Sequence, residues 1–174
     1  MSVLDIILYP DKKLKMKSRP VEKVDDEIRK LLDDMTETMY EAPGVGLAAP
    51  QVGRNIRAIV VDTTTNSTAL EQKEGSGLLH LVNPEIIDSS GEQIGEEGCL
   101  SVPGFVANVK RKNYIKIGAL DREGNPVKIE STDILARVLQ HEIDHLDGIL
   151  FFERLGRLKK ELLLKKINKA FECV

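Results

Sequence analysis

Gln140-His-Glu-Ile-Asp-His-Leu-Asp-Gly148 is the stretch that organises the rest of the chain. It ends a run that begins near Asp133, with Ser131 or Thr132 available as N-cap and Gly148 placed as a stop, so the pattern predicts a helix over Asp133–Asp147. His141 and His145 are four residues apart and project from one face of that helix, where two imidazoles can grip one divalent metal. Glu142 adjoins the first of them. A carboxylate there can take a proton from an activated water and return it to a leaving nitrogen, so HExxH describes a mechanism as well as a pattern. The competing reading is a polar helix face with two solvated histidines. Against it stands the scarcity of the residue: the chain has three histidines, and two fall in this motif.

A catalytic metal site of this kind takes three protein ligands and keeps one position for water, so a third ligand is needed. A histidine after HExxHxxGxx is excluded, because the pattern holds to Gly148 and Phe151 then stands where the ligand should be. Glu161 is a weaker candidate, lying among Lys159, Lys160, Lys165 and Lys166. His80, in Leu-Leu-His-Leu-Val, reads as an ordinary strand residue. Cys99 lies in Glu96-Glu-Gly-Cys-Leu-Ser-Val-Pro103, and a thiolate is a strong ligand for a divalent transition metal. Spacing alone does not separate that role from a buried structural cysteine.

Other segments supply the frame. Ile28, Leu31, Leu32, Met35 and Met39 recur at helical spacing behind Asp25-Asp26-Glu27, which predicts a helix over Asp25–Ala42 ended by Pro43-Gly44. Ile56–Val61 and Leu78–Val82 are short apolar runs. Tyr114, Ile115, Ile117, Val127 and Ile129 alternate as half-buried strands around a turn at Asp121–Pro126. Thr63–Gly77 is polar and reads as a surface loop. A last helix over Arg157–Phe171 is expected to carry Leu158, Leu162, Ile167 and Ala170 on one stripe and lysines on the other. Strands flanked by helices give an α+β class: antiparallel or mixed sheets around a central HExxH-bearing helix, with an N-terminal helix and a C-terminal amphipathic one.

At 174 residues and 41% apolar the chain is expected to form one domain, 1–174, around a single core. A net charge of −3 argues against a generic nucleic-acid binder. From Arg154 onward, however, seven Lys/Arg against two Glu leave +5, and the rest of the chain carries −8. Two distant cysteines, Cys99 and Cys173, are too few for a disulfide framework and suit a reducing compartment. The start lacks the basic-then-apolar order of an export signal, and no apolar run reaches membrane-spanning length, so a cytoplasmic protein is expected. Gly44-Val-Gly-Leu-Ala-Ala-Pro-Gln-Val-Gly53 is not a phosphate loop. Its glycines would let backbone approach a ligand closely, as in a strand-like peptide site, or else mark a tight helix-to-loop turn.

Taken together, GVGLAAPQ at 44–51, EGCLS at 97–101 and HEIDH at 141–145 resemble one family, the peptide deformylases, whose motifs have the forms GxGxAAxQ, EGCLS and HExDH. All three occur in order, and the start LYPDKKL with its following helix is similar too. Lys15 stands where relatives commonly have arginine, and the Thr63–Gly77 loop is long, which bears on access to the site. The resemblance implies that Cys99, His141 and His145 hold a divalent ion, commonly Fe(II), although Ni, Co or Zn suit the same ligands. It makes Glu142 the general acid/base, with the Gln51 side chain and the Leu100 backbone N–H holding the developing oxyanion.

The implied reaction removes formate from the N-terminal formyl-methionine of new polypeptides. Gly44, Val45 and Gly46, with Glu97 and Gly98 opposite, would offer backbone to the peptide as an added strand, and Val138 would line the methionine pocket. By the same resemblance Lys159, Lys160, Lys165, Lys166 and Lys169 would meet ribosomal RNA phosphates, a contact set by charge and not by sequence. The alternative is a solvated lysine face. Two rival classes remain: a metallopeptidase, which leaves Cys99 idle, and a binding module descended from the enzyme, which has no use for Glu142.

Overall fold

The computed structural model describes residues 1–64 and 77–172. Helix α1 spans Asp26–Glu41; the Asp25 carboxylate caps it by accepting from Ile28 N at 3.0 Å, and Asp26 and Glu27 sit favourably in its first turn. Ile28, Leu31, Leu32, Met35 and Met39 form the buried face, as the spacing predicts. Gly44 N closes the end by donating to Met39 O at 2.8 Å.

Strands follow in chain order as β1 (Gly46–Ala48), β2 (Ala58–Val61), β3 (Leu79–Ser90), β4 (Gln93–Cys99), β5 (Val102–Arg111), β6 (Tyr114–Leu120) and β7 (Pro126–Thr132). Among the described residues, five of them make one antiparallel sheet in the order β1-β2-β3-β6-β7, while β4 and β5 form a separate two-stranded sheet. Helix α2 spans Asp133–Leu146 and helix α3 spans Arg157–Glu172. The class is α+β, as expected. Among the described residues no helix is long and apolar enough to cross a membrane.

Strand β2 is fully buried, which explains its unbroken Ala-Ile-Val-Val run. Val60 faces α1 together with Leu32, Met35 and Leu47. Ile59 and Val61 face α2 with Leu81, Ile117, Leu139 and Ile143. Each such side chain contributes about 1.5–3 kcal/mol by leaving water, so the sheet fixes α2 firmly along its apolar side. On the far side of α2, Phe151, Phe152 and Ile167 pack with Val102 and Val109 of the hairpin.

The structure corrects four expectations. Strand β3 runs to Ser90, well past Val82, and the β4–β5 hairpin was not anticipated, because its buried positions Glu97 and Arg111 are charged and break the apolar alternation. The inward stripe of α3 is Leu163, Leu164, Ile167 and Phe171; Leu158 and Leu162 are 69% and 53% exposed, and Ala170 is exposed too. Three consecutive leucines at 162–164 allow either stripe, and contact with Tyr9 and Phe152 decides between them. Thr132 takes the N-cap position of α2, but its hydroxyl donates to Asp133 and caps no backbone N–H. Most of the Thr63–Gly77 loop, from 65 to 76, and Cys173 lie outside the described residues.

Candidate metal centre

Helix α2 presents His141 and His145 one turn apart, and the turn between β4 and β5 brings Cys99 to them across 46 residues of sequence. His145 Nε2 lies 3.3 Å from His141 Nε2 and 3.4 Å from Cys99 Sγ, and the three ligand atoms all fall within 4.8 Å of one another. Tetrahedral bonds of about 2.0–2.3 Å give ligand–ligand edges of about 3.3–3.7 Å, a range that both edges from His145 Nε2 meet. Among the described residues this is the one such cluster of Cys, His, Asp and Glu.

The two histidines differ in protonation. Burial, followed by the positive charge on His141, pushes His145 well below its ordinary pKa and keeps it neutral, the form that ligates. Burial opposes charge on His141 too, yet the Cys99 and Glu97 side chains overcome it and lift that ring to about 10. That ring carries a proton near neutral pH, which an ion bound at Nε2 would displace. Glu97 Oε1 faces His141 Nδ1 at 2.9 Å, which turns Nε2 toward Cys99 and His145. Burial alone would raise Glu97, but Arg111, donating twice at 2.8 and 2.9 Å, and His141 hold it down to about 2.

Glu142 stands beside the cluster without joining it. It is 4% exposed, burial pushes its carboxyl up to about 7, and Oε2 has no hydrogen-bond partner. Gln51, in the short turn Ala49–Val52, is held in one orientation: Oε1 accepts from Ala48 N at 3.0 Å. Its Nε2 therefore points to Ser101 Oγ at 3.1 Å and Cys99 Sγ at 3.6 Å.

A cleft of about 940 Å³ opens over the cluster. Gly44, Val45 and Gly46 line one wall, Glu97, Gly98 and Leu100 the other, and Gln51, Val138 and Glu142 are also on its surface. Among the described residues β1 is an edge strand and β4 has β5 as its only neighbour, so each wall carries a strand edge without a partner there. The structure leaves out two weaker candidates. Glu161 pairs with Arg157 on α3 at 3.1 Å, and His80 on β3 meets Thr36 at 2.9 Å. Sequence reasoning missed Ser101, Arg111, Arg137 and Asp144. Arg137 had a signal: it interrupts the apolar window Ile134–Leu139, where a charge is buried only with partners.

A helix carrying HExxH, completed by a cysteine from a separate hairpin, with a free buried glutamate at an open cleft, defines a metal-dependent hydrolase. Residues 3–161 match the polypeptide deformylase family model. A peptide deformylase of Thermodesulfovibrio yellowstonii is 50% identical over 168 residues, covering 97% of this chain and 98% of its own. The crystal structure of the Ehrlichia chaffeensis peptide deformylase in complex with actinonin superposes with a TM-score of 0.88 at 44% identity, covering 98% of each chain. That of the Thermus thermophilus enzyme gives 0.86 at 44% identity, covering 97% of this chain and 94% of the other. The chain belongs to the polypeptide deformylase family.

Proposed function

We propose that Cys99, His141 and His145 hold a divalent ion, and that around it this chain hydrolyses the formamide of N-terminal formyl-methionine on new polypeptides, releasing formate. The observation that supports this most is the three-donor triangle with a buried, non-ligating glutamate beside it. When bound, the ion supplies a Lewis acid for the formyl oxygen and lowers the pKa of a water toward neutrality. Glu142 takes the proton of the attacking water as its oxygen adds to the formyl carbon. The same carboxyl then gives that proton to the amide nitrogen as the C–N bond breaks. Gln51 Nε2 and the Leu100 N–H donate to the oxygen that gains negative charge, and Gln51 needs no reorientation to do so because Ala48 fixes its amide.

The two free strand edges support an extended peptide as substrate: Gly44, Val45 and Gly46 offer backbone from one side, and Glu97 and Gly98 from the other. Val138 lines the space for the methionine side chain. Fe(II) suits the mixed thiolate and imidazole set, and Ni, Co and Zn suit it too. The 174 residues act as one catalytic domain in the cytoplasm, where formylated chains emerge.

α3 is a second contact surface. Its outward face carries exposed Lys159, Lys165, Lys166 and Lys169 around exposed Leu158 and Leu162, a composition that favours docking on ribosomal RNA. Formate release from a formyl-Met-peptide, measured beside cleavage of an internal peptide bond, tests the activity. Internal cleavage without formate would make the chain a metallopeptidase, and neither product would leave a binding module.

A further inference from the structure

The third ligand reaches the histidines on a two-stranded hairpin that, among the described residues, shares no sheet with the rest of the fold. Beside α2 that hairpin is joined through a buried ionic lattice. Glu97 on β4 meets Arg111 on β5, His141 on α2 and Arg137 on α2, while Arg111 also reaches Asp144 at 2.5 Å. Arg137 reaches the most residues of the lattice, four. Its Nη1 donates to Glu97 Oε2 at 2.5 Å, Val109 O at 2.8 Å and Gly95 O at 3.1 Å, and its Nε donates to Gln93 Oε1 at 3.2 Å. One side chain of α2 thus touches both strands of the hairpin at four residues.

The guanidinium lies close under Gly95, where a Cβ would stand 3.2 Å from Cζ, Nε and Nη2. Arg137 is 7% exposed, and Nη2 is buried without a partner. Stability is a poor explanation for such an arrangement, because buried ion networks seldom outperform apolar packing and an orphaned donor adds a cost. What the four contacts do supply is a fixed distance and angle between hairpin and helix. We infer that Arg137 is a positioning residue for the metal centre, clamping the β4–β5 hairpin so that Cys99 Sγ meets the two histidines. The inference rests on Cys99, His141 and His145 being the ligands.

The test uses the full chain loaded with Co(II), whose thiolate-to-metal charge-transfer band reports the Cys99 bond independently of activity. Arg137→Leu should bind Co(II) about 10- to 100-fold more weakly, with a diminished band at saturating metal. Arg137→Lys should do the same, since an ammonium keeps the charge but cannot span four acceptors. Arg122→Leu, which breaks an ion pair to Asp33 on α1 outside the lattice, should lower thermal stability and leave affinity and band unchanged. If Arg137→Leu does not fold, Arg137→Lys and Gln93→Leu carry the test, the latter with a smaller loss of the same kind. Wild-type affinity and band in either Arg137 variant would overturn the clamp, as would equal losses in Arg122→Leu. A wild-type chain that binds no Co(II), or binds it without a thiolate band, would instead overturn the ligand assignment beneath it.

Discussion

Gly46 and Glu142 touch with no space for another carbon between them. A Cβ on Gly46 would stand 2.5 Å from Glu142 Oε1 and 2.9 Å from its Cδ and Cγ. Strand β1 is fully buried, whereas no hydrogen bond anchors Glu142 Oε2, so the carboxylate is the group that gives way. Gly46→Ala should therefore displace the carboxylate while sparing the ligands. Turnover on a formyl-Met-peptide is expected to fall by about 10²–10⁴, the range for losing a general acid/base, with metal content unchanged. Loss of metal together with activity would show that the strain spreads to the ligands.

Glu142→Ala removes the same group directly. It should keep its metal and lose turnover by about 10²–10⁴-fold or more. Formate release near the wild-type rate would assign the proton transfer to another base.

Cys99→Ser replaces a soft thiolate by a poorly ionised hydroxyl within the triangle. Tight metal binding and activity should fall together, as read by metal analysis and formate release. Full metal content in that variant would remove Cys99 from the ligand set.

Iron leaves a signature in air. Protein purified without oxygen should contain Fe(II), and its activity should decay on exposure, since ion and thiolate both oxidise. Nickel or zinc in that preparation, with activity stable in air, would reassign the resident ion.

Replacing Lys159, Lys160, Lys165, Lys166 and Lys169 with Gln deletes five positive charges at nearly constant helix propensity and leaves Leu163, Leu164, Ile167 and Phe171 packed. Ribosome affinity should fall, and its dependence on salt should become shallower, while turnover on a short formyl-Met-peptide stays unchanged. Equal ribosome binding by both proteins would leave the lysines as a solvated face.

Local chemistry was legible in the sequence wherever the relevant atoms are close along the chain. His141 and His145 share a face because any α-helix places i and i+4 together, and α1 shows its apolar stripe for the same reason. The motif also announced Glu142 as a base, although not that Gly46 would press against it. Cys99 is different: its spacing allowed a ligand or a structural thiol, and only the turn between β4 and β5 brings its sulfur to 3.4 Å from His145. The partners of Glu97 lie 14, 40 and 44 residues away, so no window of sequence displays them. α3 makes the same point in reverse. Its leucines permit two stripes of nearly equal quality, and helical periodicity holds no information about which one Tyr9 and Phe152 will cover. Sequence determined the elements with strong internal period and the residue types able to hold a metal; tertiary packing decided which distant side chains meet, because those contacts form only once hairpin, sheet and helix are assembled.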